Sequence, residues 1–94
     1  MLFFKKKRTE VDVIKEFNQL GYREFVTDKI ISFQKTINSV EIVSIEIIFT
    51  SKKVKSFINA KAKYGYEKKD IRFLTFKEIQ LINELIEIRK RGDN

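Results

Sequence analysis

The sequence predicts an α+β fold of order α-β-β-β-α, a three-stranded antiparallel meander with both helices packed on one face. Three observations carry this prediction. Residues 10–20 and 76–91 repeat apolar side chains at helical spacing, and each run opens on a threonine cap and closes on glycine. Residues 23–64 alternate with period two and are rich in β-branched side chains. The length of 94 residues, 43% hydrophobic and 35% charged, suits one domain with a modest core.

Residues 1–8 read as a flexible basic arm, and 9–92 as a single domain. Thr9 is the N-cap of helix one, with Glu10 and Asp12 in the first turn, where the helix dipole favours anions. Val13, Ile14, Phe17 and Leu20 follow at helical spacing, and Gly21 suits the left-handed position after the helix. A helix this short needs Ile14 and Phe17 docked in a core.

Strand one is expected over 23–37, best formed from Lys29 onward, strand two over 41–50 and strand three over 53–64. A three-residue turn at 38–40 pairs Phe33 with Ile45 and Ile31 with Ile47. A two-residue turn at Asn38-Ser39 would pair Phe33 with Ser44 and mix the faces. A two-residue turn at Ser51-Lys52 pairs Phe49 with Val54 and Ile45 with Ile58. Antiparallel partners share a face, so Ile31, Phe33, Val43, Ile45, Ile47, Phe49, Val54 and Ile58 fall on one side. Lys35 falls there too, near an edge where its stem can snorkel. The stretch 52–64 also contains good helix formers, but a helix would set Lys61 between Phe57 and Val54, whereas a strand separates lysines from apolar residues. Gly65 then opens a polar loop, Tyr66 to Asp70, and residues 71–74 approach the last helix in extended form. Thr75-Phe76-Lys77-Glu78 is a capping box, with Leu74 and Ile79 placed as a staple. Ile79, Ile82, Leu85 and Ile86 make the buried stripe, widened by Leu81 and Ile88. Arg89-Lys90-Arg91 suits the negative end of the dipole, and Gly92 ends the helix.

Eight basic residues and two acids lie between Lys52 and Arg72, so this stretch supplies most of the formal charge of +7. Lys5, Lys6, Lys7 and Arg8 supply the other excess. A segregated positive charge attracts phosphate or an acidic surface. An AT-rich coding bias, visible in abundant Lys, Ile, Asn and Phe, also raises lysine. Cysteine and histidine are absent, which removes thiol chemistry, thiolate metal sites, and the commonest general base and metal ligand. No carboxylate pairing suggests catalysis, so no enzyme, cofactor or metal is expected. No apolar run approaches the length of a membrane span, and the start lacks the order of a signal peptide, so the expected compartment is the cytoplasm.

Strand three concentrates the candidate site. Lys53, Lys55, Phe57, Asn59, Lys61 and Lys63 share parity, setting cations around a ring and an amide on the face opposite the core. Nucleic-acid-binding sheets use this mixture, cations for phosphates and exposed rings for bases. As the edge of a three-stranded meander, the same lysines would also blunt edge-to-edge pairing. Lys68 and Lys69 in the polar loop, and Lys5, Lys6, Lys7 and Arg8 in the arm, extend the patch. Expected partners are DNA or RNA or, in the alternative, a host protein. A homodimer through helix 76–91 would use Leu81 and Ile88.

The element order, size and basic charge resemble a double-stranded-RNA-binding domain. That family binds through helix one, the first β-turn and a lysine-rich start to its second helix. Here those places hold the uncharged Asn38-Ser39-Val40 and Thr75-Phe76-Lys77-Glu78-Ile79, so the topology carries over and the RNA-binding residues do not. The last third, Leu74-Thr75-x-x-Glu78-Ile79-x-x-Ile82 after lysine-rich strands, resembles small uncharacterised proteins of phages and mobile elements in low-GC Gram-positive bacteria. That resemblance implies an accessory protein rather than a metabolic enzyme.

Overall fold

A computed structural model of the chain describes residues 7–92, and of Lys69 the backbone only. The elements are α1 (Glu10–Gln19), β1 (Arg23–Val26), β2 (Ile30–Thr36), β3 (Glu41–Ile48), β4 (Lys53–Ala62), β5 (Gly65–Ile71) and α2 (Phe76–Arg91). The class is α+β, as expected, with two helices and an antiparallel sheet. The sheet, however, has five strands in sequence order, not three.

The expected first strand folds back on itself. Thr27 and Ile30 bracket a two-residue reversal, with the Thr27 amide donating to the Ile30 carbonyl at 2.8 Å. The Thr27 hydroxyl accepts from the Ile30 amide at 3.0 Å, and Arg89 donates to the Asp28 carbonyl at 2.9 Å. The second correction is the polar loop 66–70, which is strand β5. Lys63 and Tyr64 form a tight turn, Gly65 takes φ +128, and β5 pairs back along β4 from Ala62↔Gly65 to Phe57↔Ile71. A bulge sets Ile58 opposite Asp70 but Asn59 opposite Lys68, leaving Lys69 as the extra residue.

Register between β2 and β3 is as the three-residue turn requires, with Ile31↔Ile47 and Phe33↔Ile45. The Asn38 side-chain oxygen holds that turn by accepting from the amides of Val40 and Glu41, both at 2.9 Å. Between β3 and β4 the turn is longer than expected, since Ile48 pairs with Lys53. Phe49 leaves the ladder to donate to the Lys29 carbonyl at 2.9 Å, and Lys52 enters the left-handed region at φ +56. The pairing therefore moves by two residues, Ile47↔Val54 and Val43↔Ile58, and each side chain keeps its face.

The buried residues of both helices and the sheet join in one cluster. Val13 and Phe17 of α1, Ile31, Phe33, Val43, Ile45 and Ile47 of the sheet, and Leu81, Ile82, Leu85 and Ile88 of α2 belong to it. Phe17 stacks on Phe33 with ring centroids 3.8 Å apart, and Tyr22 meets Phe17 edge-on. Lys35 does snorkel: its ammonium lies 4.6 Å from the Tyr22 ring centroid and donates to the Leu20 carbonyl at 3.4 Å. Gly21 has φ +97, and a Cβ there would meet the Lys35 stem at 3.0 Å.

Both helices begin on complete capping boxes, at Thr9 with Asp12 and at Thr75 with Glu78. The α2 stripe is rotated from the expected one, because Glu78 is buried and Ile79 is 41% exposed. Glu78 is the centre of a satisfied polar network. Arg72 donates to both its oxygens, at 2.8 and 3.0 Å, the Tyr22 hydroxyl donates at 2.6 Å and the Thr75 amide at 3.0 Å. Burial alone would raise the Glu78 pKa, but these donors outweigh it and hold the pKa at about 2. Burial, and then the bond to Glu78, pushes the Tyr22 hydroxyl well above the ordinary tyrosine value.

Candidate nucleic-acid interface

The face opposite the core is built by alternation from all five strands. The register places Phe25 of β1, Ile30, Ser32 and Gln34 of β2, Ile42, Ser44, Glu46 and Ile48 of β3, and Lys53, Lys55, Phe57, Asn59 and Lys61 of β4 on this side. β5 adds Tyr66 opposite Lys61, Lys68 opposite Asn59 and Ile71 opposite Phe57. Glu46 is the one carboxylate that the register assigns to this face, directly across from Lys55.

Lys53, Lys55, Lys61 and Lys68 are exposed and form no ion pair among the described residues. Phe57 and Asn59 are half-buried between strands. The Phe57 ring has the Lys68 ammonium 5.5 Å from its centroid, and Asn59 donates to the Ser44 hydroxyl at 3.1 Å. Lys63 belongs to the β4–β5 turn rather than the strand, with its ammonium 5.4 Å from the Tyr64 ring centroid. Lys52 and Lys53 also line a cavity of about 290 Å³ together with Glu87, Arg89 and Lys90 of α2.

The edge explanation of the strand-three lysines needs correcting. Residues 57–60 of β4 are paired on both sides, by β3 and β5, and Lys61, just beyond, pairs with Tyr66 of β5 while its amide donates to the Val40 carbonyl at 2.6 Å, so it does not stand on an open edge. Only the start of β4, with Lys53 and Lys55, extends past the end of β5.

The expected arm divides. Lys5 and Lys6 lie outside the described residues, as does the Lys69 side chain. Arg8 is not free: it pairs with Glu16 of α1 and, at 2.7 Å, with Glu84 of α2. Lys7 lines a cavity of about 650 Å³ with Gln80, Asn83 and Glu87 of α2. These two cations therefore belong with the helices, apart from the strand lysines. The proposed dimer wall is also consumed, because Leu81 is 0% and Ile88 2% exposed within the monomer.

Sequence reasoning missed the contribution of β5 and the apolar part of this face. The signal for Ile30, Ile42 and Ile48 was present in the parity of β2 and β3. Tyr66 and Ile71 gave none, because the bulge brings an even and an odd position to the same side.

Fold and surface define an α+β domain whose antiparallel meander carries a cationic and partly apolar face. Comparison with protein-family models, curated proteins and solved structures gives no match to this chain. Among the described residues no helix is long and apolar enough to cross a membrane, and no three metal-ligating side chains gather.

Proposed function

We propose that the chain is a small accessory protein that binds nucleic acid without strong sequence preference through the basic sheet face. Buried side chains of both helices join those of the other sheet face in one core cluster. The observation that carries the reading is the set Lys53, Lys55, Lys61 and Lys68, exposed and unpaired among the described residues, around Phe57 on adjoining strands.

The test is fluorescence anisotropy on labelled DNA and RNA across a salt series. Four lysines on a single strand give a log–log salt slope of about −2.8, or roughly fifty-fold weaker binding between 50 and 200 mM salt. The pair Lys55→Glu and Lys61→Glu should weaken binding and flatten the slope by about 1.4. Absence of DNA and RNA binding at low salt ends the proposal.

A second reading, a protein-interaction module acting on a host protein, is favoured by Phe73 and Phe76, each 92% exposed. It expects a complex with a host protein that persists at high salt and is lost in Phe76→Ala.

A further inference from the structure

Building on the nucleic-acid reading, we infer that the partner is a single strand, held along β4 and β5 with Tyr66 and Phe73 as its stacking platforms. The register sets Tyr66 directly across from Lys61. At the other end of the ladder Ile71 faces Phe57, and the Arg72 amide donates to the Ser56 carbonyl at 3.1 Å. The ladder ends there: Phe73 follows Arg72, whose side chain turns to Ser56 and Glu78, and lies just beyond the last strand pair. One ring thus stands across from the unpaired Lys61, and the other lies just past the opposite end of the same ladder.

The bulge makes this arrangement possible. Tyr66 and Ile71 have opposite parity, and without the extra residue Lys69 they would project from opposite faces; Phe73 shares the parity of Ile71. Both rings are open to a base. Phe73 is 92% and Tyr66 53% exposed, whereas Phe57 is half-buried beside the Lys68 ammonium.

Spacing sets the length of the bound segment, and chemistry selects the partner. Lys55 and Lys61 are six residues apart on one strand, about 20 Å at strand rise. That length spans about six nucleotides at the roughly 3.4 Å per nucleotide of one DNA strand. A duplex would offer its phosphates to the lysines, but the faces of its paired bases are covered by neighbouring pairs, so the rings would gain nothing. Unpaired bases can stack on both rings, at roughly ten-fold in affinity per ring.

The experiment measures binding of oligothymidylates of 3, 6, 9 and 12 nucleotides, and of a 12-base-pair duplex, by anisotropy at one salt concentration. The proteins compared are the full chain, Tyr66→Ala, Tyr66→Phe and Phe73→Ala, each checked for folding by circular dichroism. Affinity should climb steeply up to about six nucleotides and then level, with the duplex weaker than the 12-mer. Each alanine variant should bind the 12-mer roughly ten-fold more weakly with an unchanged salt slope and unchanged duplex binding, and Tyr66→Phe should restore full affinity. Duplex binding as tight as the 12-mer, or alanine variants that weaken both alike, overturns the single-strand inference and leaves nucleic-acid binding standing. If neither polymer binds, both fall.

Discussion

Glu78→Gln preserves the shape of a buried side chain and deletes its charge, and the surroundings of that carboxylate set the size of the effect. Glu78 is 2% exposed and receives four hydrogen bonds, two of them from an Arg72 guanidinium that is itself 18% exposed. A pKa lowered from 4.5 to about 2 corresponds to about 3 kcal/mol of folding free energy. Breaking one partner of a buried ion pair typically costs ~3–5 kcal/mol, and the partly exposed guanidinium argues for the low end. The two routes agree on about 3 kcal/mol, a large part of the total stability of a domain this size. The sign follows from which state binds the proton first. The folded-state pKa lies below the unfolded one, so the contribution is complete above pH 4.5 and is lost as pH falls toward 2. Urea unfolding followed by circular dichroism at pH 7, 4.5 and 2.5 gives the comparison. The variant should be about 3 kcal/mol less stable at pH 7, and the gap should narrow through the acid range. Glu16 and Glu24, whose pKa values are also lowered, are present in both proteins and cancel in the difference. Parallel pH profiles, or equal stability at pH 7, would refute the assignment of Glu78 as an ionised keystone.

Two further outcomes are expected. Leu81→Ala should cost about 2–5 kcal/mol without altering the chromatographic mass, because the side chain is wholly buried in the monomer; a changed mass at an unchanged urea midpoint would place Leu81 in an interface instead. Gly21→Ala should lower stability by about 1–2 kcal/mol, since φ is +97 and the new methyl would press on the Lys35 stem. Thermal melting checks the latter, and an unaltered midpoint would contradict it.

The elements legible in the sequence are those governed by neighbours along the chain. The α2 span of 76–91 follows from Thr75, Glu78 and Gly92, all within a turn of the ends they define. The β2–β3 register follows from Asn38, whose side chain builds the turn locally. The β1–β2 reversal lacks glycine, proline and asparagine, and part of its support comes from Arg89, far along the chain. β5 was hidden because Glu67-Lys68-Lys69-Asp70 has poor strand propensity and its bulge breaks the alternation. Glu78 reads as a cap in the sequence and is one, yet its burial depends on Tyr22 and Arg72 meeting it from other elements. The candidate site divides in the same way. The β4 lysines were legible from parity alone, while their partners across the sheet required the strand that the sequence concealed.

The Arg89–Glu10 pair, whose shortest bond is 2.5 Å, carries a kinetic consequence. Every strand pairs only with its sequence neighbour, so the meander can assemble hairpin by hairpin through short closures. The contact between Arg89 and Glu10 instead spans 79 residues, a closure that costs about 4 kcal/mol of chain entropy if made before the sheet exists. Once the hairpins have shortened the path between the helices, most of that cost has already been met. The pair then acts as a late latch, and its removal should speed unfolding more than it slows folding.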